Sequence, residues 1–154
     1  MRLIFLLRNP IERAYSQWNM QRSRGWDDLP FGEAIRRERE RCRAALPLQH
    51  RRHSYVDRGF YAEQLRRYLH FFPREQILVL RSEAFRADSK AVLDRIARFL
   101  GVSSFPEEQA PEVHVGQYAS PMAEEDREYL RDLYEPSIRD LEKLLDWDCS
   151  DWLT

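Results

Sequence analysis

Residues 3–16 of the chain have the sequence LIFLLRNPIERAYS. The first five are apolar without alternation, which is typical of a β-strand buried on both faces in a parallel sheet. Asn9 is a good helix cap, and Pro10 suits the first position of a helix. The apolar residues that follow recur at helical spacing. The stretch therefore predicts a strand, a tight turn and a helix, as in an α/β protein.

A second short apolar run, residues 77–80, predicts another buried strand over residues 76–80. Helices are predicted from the apolar spacing over residues 31–45, 60–72, 88–100 and 120–145. The basic segment 47–57 has no periodicity and is predicted to be a loop. Two strands cannot satisfy the backbone groups of a buried sheet by themselves. We therefore expect residues 1–154 to form a single, partial domain that has lost its leading elements.

The composition excludes several classes of protein. The 154 residues include 25 basic and 26 acidic ones, so the net charge of −1 gives no global field toward nucleic acid or anionic lipid, and any anion site must be local. The longest apolar run has five residues, against the ~20 that a membrane span needs, and it is too short for a signal peptide. The two cysteines form no CxxC pattern. We expect a soluble, cytoplasmic chain without a disulfide framework or a zinc site.

In open α/β sheets, ligands bind beyond the carboxyl ends of the strands. Here those ends are Arg8-Asn9 and Arg81-Ser82. These positions are the first candidates for a binding site.

Residues 6–16, LLRNPIERAYS, resemble the 3′-phosphate-binding motif of sulfotransferases that use 3′-phosphoadenosine 5′-phosphosulfate (PAPS). That motif is a strand, then Arg-Asp/Asn-Pro, then a helix with a serine eight residues after the arginine. Residues 58–65 (RGFYAEQL), 72–80 (FPREQILVL) and 129–145 match further stretches of the family in the same order. The resemblance spans nearly the whole chain and is greatest to bacterial and heparan-sulfate-type enzymes.

The resemblance implies a P-loop-NTPase-like sulfotransferase fold, helix-rich with a short parallel sheet and truncated at its amino terminus. In the family, a glycine-containing loop that grips the 5′-phosphosulfate and the general base both lie upstream of the 3′-phosphate motif, so both would precede Met1. The five glycines of this chain are scattered, so it has no Walker-type phosphate loop. Its catalytic residues are unknown.

By resemblance, Arg8 and Ser16 contact the 3′-phosphate. A dianionic phosphate needs a bidentate fork and a short hydroxyl donor near a helix beginning, where unpaired backbone N–H groups also favour negative charge. The alternative is that Arg8 pairs with a carboxylate and Ser16 lies on a solvated helix face. Ser82 falls where relatives contact the adenine, or else caps a short helix.

Gly116 and Gln117 lie where related enzymes place a Lys-Gly-Arg that closes over the nucleotide. The basic residues of that triplet are absent here.

Other motifs favour structural roles. Tyr61 matches a family signature, but a tyrosine on the apolar face of a helix is more often a core residue. His50 and His53 have no carboxylate or cysteine at ligand spacing, so no metal site is predicted. The arginine-rich segment 36–58 could bind an anionic glycan, although its interleaved glutamates favour a solvated helix.

The implied function is transfer of a sulfuryl group from PAPS to a hydroxyl or amine of a carbohydrate-like or other small-molecule acceptor, leaving adenosine 3′,5′-bisphosphate (PAP). No metal is required if cationic side chains hold the leaving phosphate. The chain by itself is expected to be weak or inactive. The alternatives are a non-catalytic nucleotide-binding remnant or interaction module, and an arginine-rich nucleic-acid-binding protein. The balanced charge argues against nucleic acid.

Overall fold

The computed structural model of the chain describes residues 1–105 and 120–154. Its strands and helices are β1 (Leu3–Leu7), α1 (Pro10–Ser23), α2 (Phe31–Arg36), α3 (Glu38–Arg41), α4 (Tyr61–Phe71), β2 (Ile77–Arg81), α5 (Ser82–Ala87), α6 (Ser89–Leu100) and α7 (Glu124–Leu145). These residues form two compact units. The first unit contains Met1–Arg8 and residues 65–105, and the second contains Asn9–Gln64 and residues 120–154. No helix within the described ranges is long and apolar enough to cross a membrane.

The first unit is built on a parallel pair of strands. β1 and β2 run in register, with Leu7 opposite Arg81 at their carboxyl ends. This confirms the predicted α/β class and the parallel pairing. The prediction that β1 is buried on both faces is wrong, because Ile4 is 40% exposed and Leu6 is 56% exposed. Alternate side chains of a strand point to the same face, so the described residues cover only one face of β1.

Helix α6 packs against β2 and completes the core of the first unit. The core consists of Leu78, Leu80 and Val92, with Phe85, Ile96 and Phe99 packed against them. The side chain of Asp88 caps the helix by accepting a hydrogen bond from the Ala91 N–H at 2.9 Å. Gly101 ends the helix in the left-handed conformation, with φ of 71°. Both predicted ends of α6 are confirmed.

The second unit is built on α1 and α7, which pack against each other. The buried residues of α1 include Ile11, Ala14, Tyr15 and Trp18, and those of α7 are Leu130, Tyr134, Ile138 and Leu141. The apolar spacing in the sequence predicted both faces. The tail that follows α7 is docked through Trp152, which has no exposed surface.

Two predicted helices differ from the structure. The helix expected over residues 31–45 is broken at Arg37 into α2 and α3, because the backbone there leaves the α-helical geometry (φ −93°, ψ 1°). The helix expected from Ser120 begins only at Glu124. The carbonyl of Ser120 accepts a hydrogen bond from the Tyr15 hydroxyl at 2.6 Å, and this tertiary contact takes the place of a helical bond.

Candidate functional site

The carboxyl ends of the two strands lie side by side in the first unit. Leu7 and Arg81 are the last paired residues, so Arg8 and Ser82 are the next residues of neighbouring strands, which run about 4.8 Å apart. Both side chains are half-buried. The structure therefore brings together two of the residues predicted to bind the nucleotide.

The hydroxyl of Ser82 is not used by the helix that it begins. Ser82 is the first residue of α5, and the cap position belongs to Arg81. Its Oγ is shielded from solvent and has no hydrogen-bond partner among the described residues. A buried hydroxyl without a partner costs about 1–3 kcal/mol. Ser82 is therefore not the ordinary helix cap that the sequence left open as an alternative.

Two arginines stand at the strand ends. Arg81 is the last residue of β2, Arg8 directly follows β1, and Glu83 Oε2 lies 3.8 Å from Arg81 Nε. Guanidinium groups bind phosphate through paired N–H donors. The edge can therefore accommodate an anion next to the Ser82 hydroxyl.

Ser16 lies on α1 in the second unit and is half-buried. It thus belongs to a different compact unit from Arg8, although eight residues separate the two in the chain. The structure puts Ser16 on the helix that the motif predicted. Its role toward a phosphate remains a prediction.

The beginning of α1 offers no unpaired backbone donor. Pro10 has no N–H, and the N–H groups of Ile11 and Glu12 donate to Asn9 Oδ1 at 2.9 and 3.4 Å. The N–H of Arg13 donates to the Asn9 carbonyl at 2.9 Å. The expectation that free N–H groups of this turn assist phosphate binding is therefore wrong, because the Asn9 cap already uses them. A phosphate near this helix has to be held by side chains.

The remaining predicted contacts, Gly116 and Gln117, lie outside the described residues. Their part in nucleotide closure stays a prediction.

The sequence did not reveal the role of Glu38, a buried carboxylate in the second unit. It accepts hydrogen bonds from the N–H groups of Tyr55 and Val56, each at 2.7 Å, and from that of Asp57 at 2.8 Å. Burial raises the pKa of Glu38 above its ordinary value despite these three bonds. The sequence contained one indication that Glu38 is buried. Position 38 follows Ala34 by four residues, which places it on the apolar face of the predicted helix.

The segment that Glu38 holds also contacts the two long helices of the unit. Arg13 of α1 donates to the carbonyl of Tyr55 at 2.9 Å, and the hydroxyl of Tyr134 donates to the carbonyl of Val56 at 2.8 Å. A Cβ at Gly59 would lie within 2.7 Å of the Tyr134 ring atoms. Glycine is required there because the backbone approaches the ring too closely for a side chain. Residues 55–59 are thus fixed against the helix that carries Ser16.

A second buried group, Asp27, ties the same segment to α3. Its carboxylate accepts from the Tyr55 hydroxyl at 2.6 Å and pairs with Arg41 at 2.9 Å. Burial by itself would raise the pKa of Asp27, but the hydrogen bonds from Tyr55, Arg41 and Leu29 hold it below its ordinary value. Burial and the neighbouring carboxylate raise the pKa of Tyr55. These groups are structural, since each is engaged with the others.

The loop predicted over residues 47–57 contains two histidines, and their side chains contact each other. The rings of His50 and His53 stack with centroids 4.6 Å apart. Within the part of the chain that the structure describes, no three histidine, cysteine or acidic side chains are arranged to hold a metal ion.

Tyr61 is buried, and its ring lies 6.3 Å from that of Trp152, as expected of a core residue.

Comparison with known proteins places the chain in a family. The sequence matches the family described as "Sulfotransferase domain" over residues 1–118. The chain belongs to the sulfotransferase domain family, which confirms the resemblance carried by residues 6–16.

The relatives are much longer than this chain. The human bifunctional heparan sulfate N-deacetylase/N-sulfotransferase 2 is 30% identical over 107 residues, which are 68% of this chain and 12% of that protein. The mouse N-deacetylase/N-sulfotransferase 1 is 33% identical over 108 residues, again 12% of its length. A crystal structure of a sulfotransferase from Alicyclobacillus acidocaldarius superposes with a TM-score of 0.83 at 31% identity, covering 99% of this chain and 57% of that one. The superposition with the Alicyclobacillus structure confirms the predicted sulfotransferase fold of the α/β class.

Proposed function

We propose that the chain provides the 3′-phosphate and adenine side of a PAPS-dependent sulfotransferase site. The parent activity transfers the sulfuryl group to a hydroxyl or amine of a carbohydrate-like acceptor. The S–O bond to the phosphate breaks, a new bond forms to the acceptor oxygen or nitrogen, and the acceptor loses a proton. PAP is the other product. The observation that carries the proposal is the position of Arg8 and Ser82, each directly beyond the carboxyl end of one of two paired parallel strands.

The residues at this edge fit the nucleotide. Arg8 supplies a fork for the dianionic phosphate, and the Ser82 Oγ, which has no partner among the described residues, supplies a hydrogen bond to the base. Ser16 would add a hydroxyl donor to the phosphate. Because the N–H groups of the first turn of α1 are already engaged, the affinity for the 3′-phosphate should depend strongly on Arg8.

The carbohydrate acceptor is proposed from the relatives. The human and mouse proteins compared above are named for N-sulfation of heparan sulfate. A shared family supports a related acceptor class for this chain.

The proposal is tested by nucleotide-dependent thermal stability. PAP should raise the melting temperature of the chain more than AMP does, because only PAP has the 3′-phosphate. Arg8→Ala should abolish this preference, since it removes the bidentate partner. Arg86→Ala, an exposed arginine of α5, is the matched control and should retain it.

An equal response to PAP and AMP in the unaltered chain, or an undiminished preference in Arg8→Ala, would place the nucleotide elsewhere. Detectable sulfate transfer by a chain that keeps this preference would exclude the second candidate function, a non-catalytic nucleotide-binding module.

We also propose that residues 1–154 by themselves transfer sulfate slowly or not at all. Their sequence has no glycine-clustered loop for the 5′-phosphosulfate. Glu12 is paired with Arg127 at 2.8 Å, and Glu83 lies beside Arg81, so neither is a free base. The exposed Glu63 matches no base position of the family. Preorganised donors to a leaving oxygen are worth about 2.7–4 kcal/mol each, and a general base about 100-fold or more.

Transfer of labelled sulfate from PAPS to a panel of glycans measures this directly. The comparison is the sulfotransferase from Alicyclobacillus acidocaldarius, a longer chain of which this chain covers 57%. The longer chain should be the faster enzyme. Rapid turnover by residues 1–154 would show that they already hold the full catalytic set.

A further inference from the structure

Residues 43–53 of the second unit form a surface that the nucleotide site does not use, called here the 43–53 surface. From Arg41 to Val56 the sequence has four arginines and two histidines and no acidic residue. Arg41 is engaged by Asp27. Arg43, Arg51 and Arg52 are exposed and form no ion pair among the described residues. The chain as a whole is nearly neutral, so this positive charge is a local excess.

The backbone of this surface is held in place from within. Arg58 donates to the carbonyls of His50 and Arg51, both at 3.2 Å. His50 Nδ1 accepts from the N–H groups of Arg52 and His53 at 3.3 and 3.1 Å. The arginine side chains are thus presented on an ordered loop.

Two leucines project from the same loop. Leu46 is 68% exposed and Leu48 is 74% exposed, with Pro47 between them also exposed. Leu48 lines an open depression of about 520 Å³ together with Ala45 and residues 49–53. Apolar and cationic side chains therefore share one surface.

An exposed indole lies at the edge of this surface. Trp26 is 44% exposed, and the guanidinium groups of Arg24 and Arg52 lie 5.2 and 4.7 Å from its ring. The Trp26 carbonyl lies 3.4 Å from His53 Nε2. Tryptophan and arginine together are enriched where proteins meet the headgroup layer of a membrane.

We propose that the 43–53 surface docks on a membrane that contains anionic lipids, with Leu46 and Leu48 inserted at the headgroup–acyl boundary and Arg43, Arg51 and Arg52 on the lipid phosphates. A soluble polyanion such as a sulfated glycan would use the arginines but would leave both leucines in water. A membrane uses both, because burial of the leucines adds to the attraction of the arginines. The mode is peripheral attachment, and it does not depend on the nucleotide residues of the first unit.

The arginines supply the permanent positive charge of this surface. Burial and the positive neighbours His53, Arg41, Arg52 and Arg58 lower the pKa of His50. The charged form of His50 is thus disfavoured, and its Nδ1 shapes the loop by accepting the two backbone N–H groups.

The test is co-sedimentation with vesicles of phosphatidylcholine alone and with about 30% phosphatidylglycerol. The chain should partition onto the anionic vesicles only, and added salt should weaken the partition. Arg51→Ala/Arg52→Ala should lower the partition coefficient about 25-fold, about fivefold for each arginine. Leu46→Ser/Leu48→Ser should lower it at least about tenfold.

Matched controls separate this surface from general charge and hydrophobicity. Arg66→Ala/Arg67→Ala removes the same charge from two consecutive exposed arginines of α4, outside the 43–53 surface. Phe71→Ser removes an apolar side chain that is 76% exposed. Both should bind vesicles as the unaltered chain does, and circular dichroism verifies that each variant is folded.

Three results would overturn the proposal. They are absence of binding to anionic vesicles, equal binding to neutral vesicles, and full binding by the leucine variant. In the last case, heparin binding that requires Arg51 and Arg52 but neither leucine would assign the surface to a soluble polyanion.

Discussion

A single carboxylate, Glu38, organises the segment that faces α1 in the second unit. It accepts three consecutive backbone N–H groups, those of residues 55–57. A buried charge is tolerated only where such bonds replace its hydration. Glu38 therefore determines the path of residues 55–59 between α3 and α4, and through them the surroundings of Arg13.

Glu38→Gln should lower the free energy of unfolding by about 2–3 kcal/mol. The glutamine amide presents its own N–H groups to backbone donors, so at least one buried donor loses its acceptor. Urea denaturation followed by circular dichroism measures the change. Glu40→Gln, two positions away, alters a side chain that is 73% exposed and should stay within about 0.5 kcal/mol of the parent. Equal losses in the two variants would mean that the three bonds contribute little.

At the scale of the element, the carboxyl end of α7 anchors the tail. Glu142 accepts the N–H of Cys149 at 2.8 Å and pairs with Arg139 at 3.0 Å. The bond from Cys149 and the pairing with Arg139 lower the pKa of Glu142 below its ordinary value. Trp152, three residues beyond Cys149, is fully buried. One carboxylate thus joins the helix to the docked tail.

The lowered pKa determines the sign of the pH dependence. The contribution of Glu142 is complete above the ordinary carboxyl pKa of 4.5 and is lost as the pH falls through its own lower pKa. The amide resonance of Cys149, followed by NMR, should titrate with a midpoint below 4.5. Glu142→Gln should remove this titration. Glu135→Gln alters an exposed carboxylate that also pairs with Arg139, and it should leave the titration unchanged. A midpoint above the ordinary value would contradict the assignment.

At the scale of the whole molecule, the two cysteines have no disulfide partner and are buried. Cys42 and Cys149 are both buried free thiols. The thiol of Cys42 lies 3.7 Å from the Ser54 hydroxyl, and burial raises its pKa. Both thiols are therefore inert packing groups rather than reactive ones.

The folded chain should react slowly with Ellman's reagent at neutral pH, and two thiols per chain should react in denaturant. Reducing agent should leave the melting temperature unchanged, because no disulfide contributes to it. Rapid modification of one thiol in the folded state would show that its surroundings open readily. Cys42→Ser and Cys149→Ser, measured separately, identify which one.

The local elements were predictable because their signals are contained in short stretches. The apolar run of residues 3–7 predicted a strand, and the Asn9-Pro10 pair predicted the start of α1. Asp88 and Gly101 likewise predicted both ends of α6. In each case the signal is a backbone preference or a cap within about four residues, so it does not depend on the rest of the fold.

Sequence patterns by themselves thus determined the α/β class, the sulfotransferase family and the proposal of Arg8, Ser16 and Ser82 as nucleotide contacts. Only the tertiary structure decided the register in which β1 and β2 pair, and so that Arg8 and Ser82 are neighbours although 74 positions separate them in the chain. It also decided that Glu38 is buried while Leu46 and Leu48 are exposed. Residue type by itself predicts an exposed glutamate and two buried leucines. The structure differs in all three cases because burial depends on which distant segments supply hydrogen bonds or cover a surface.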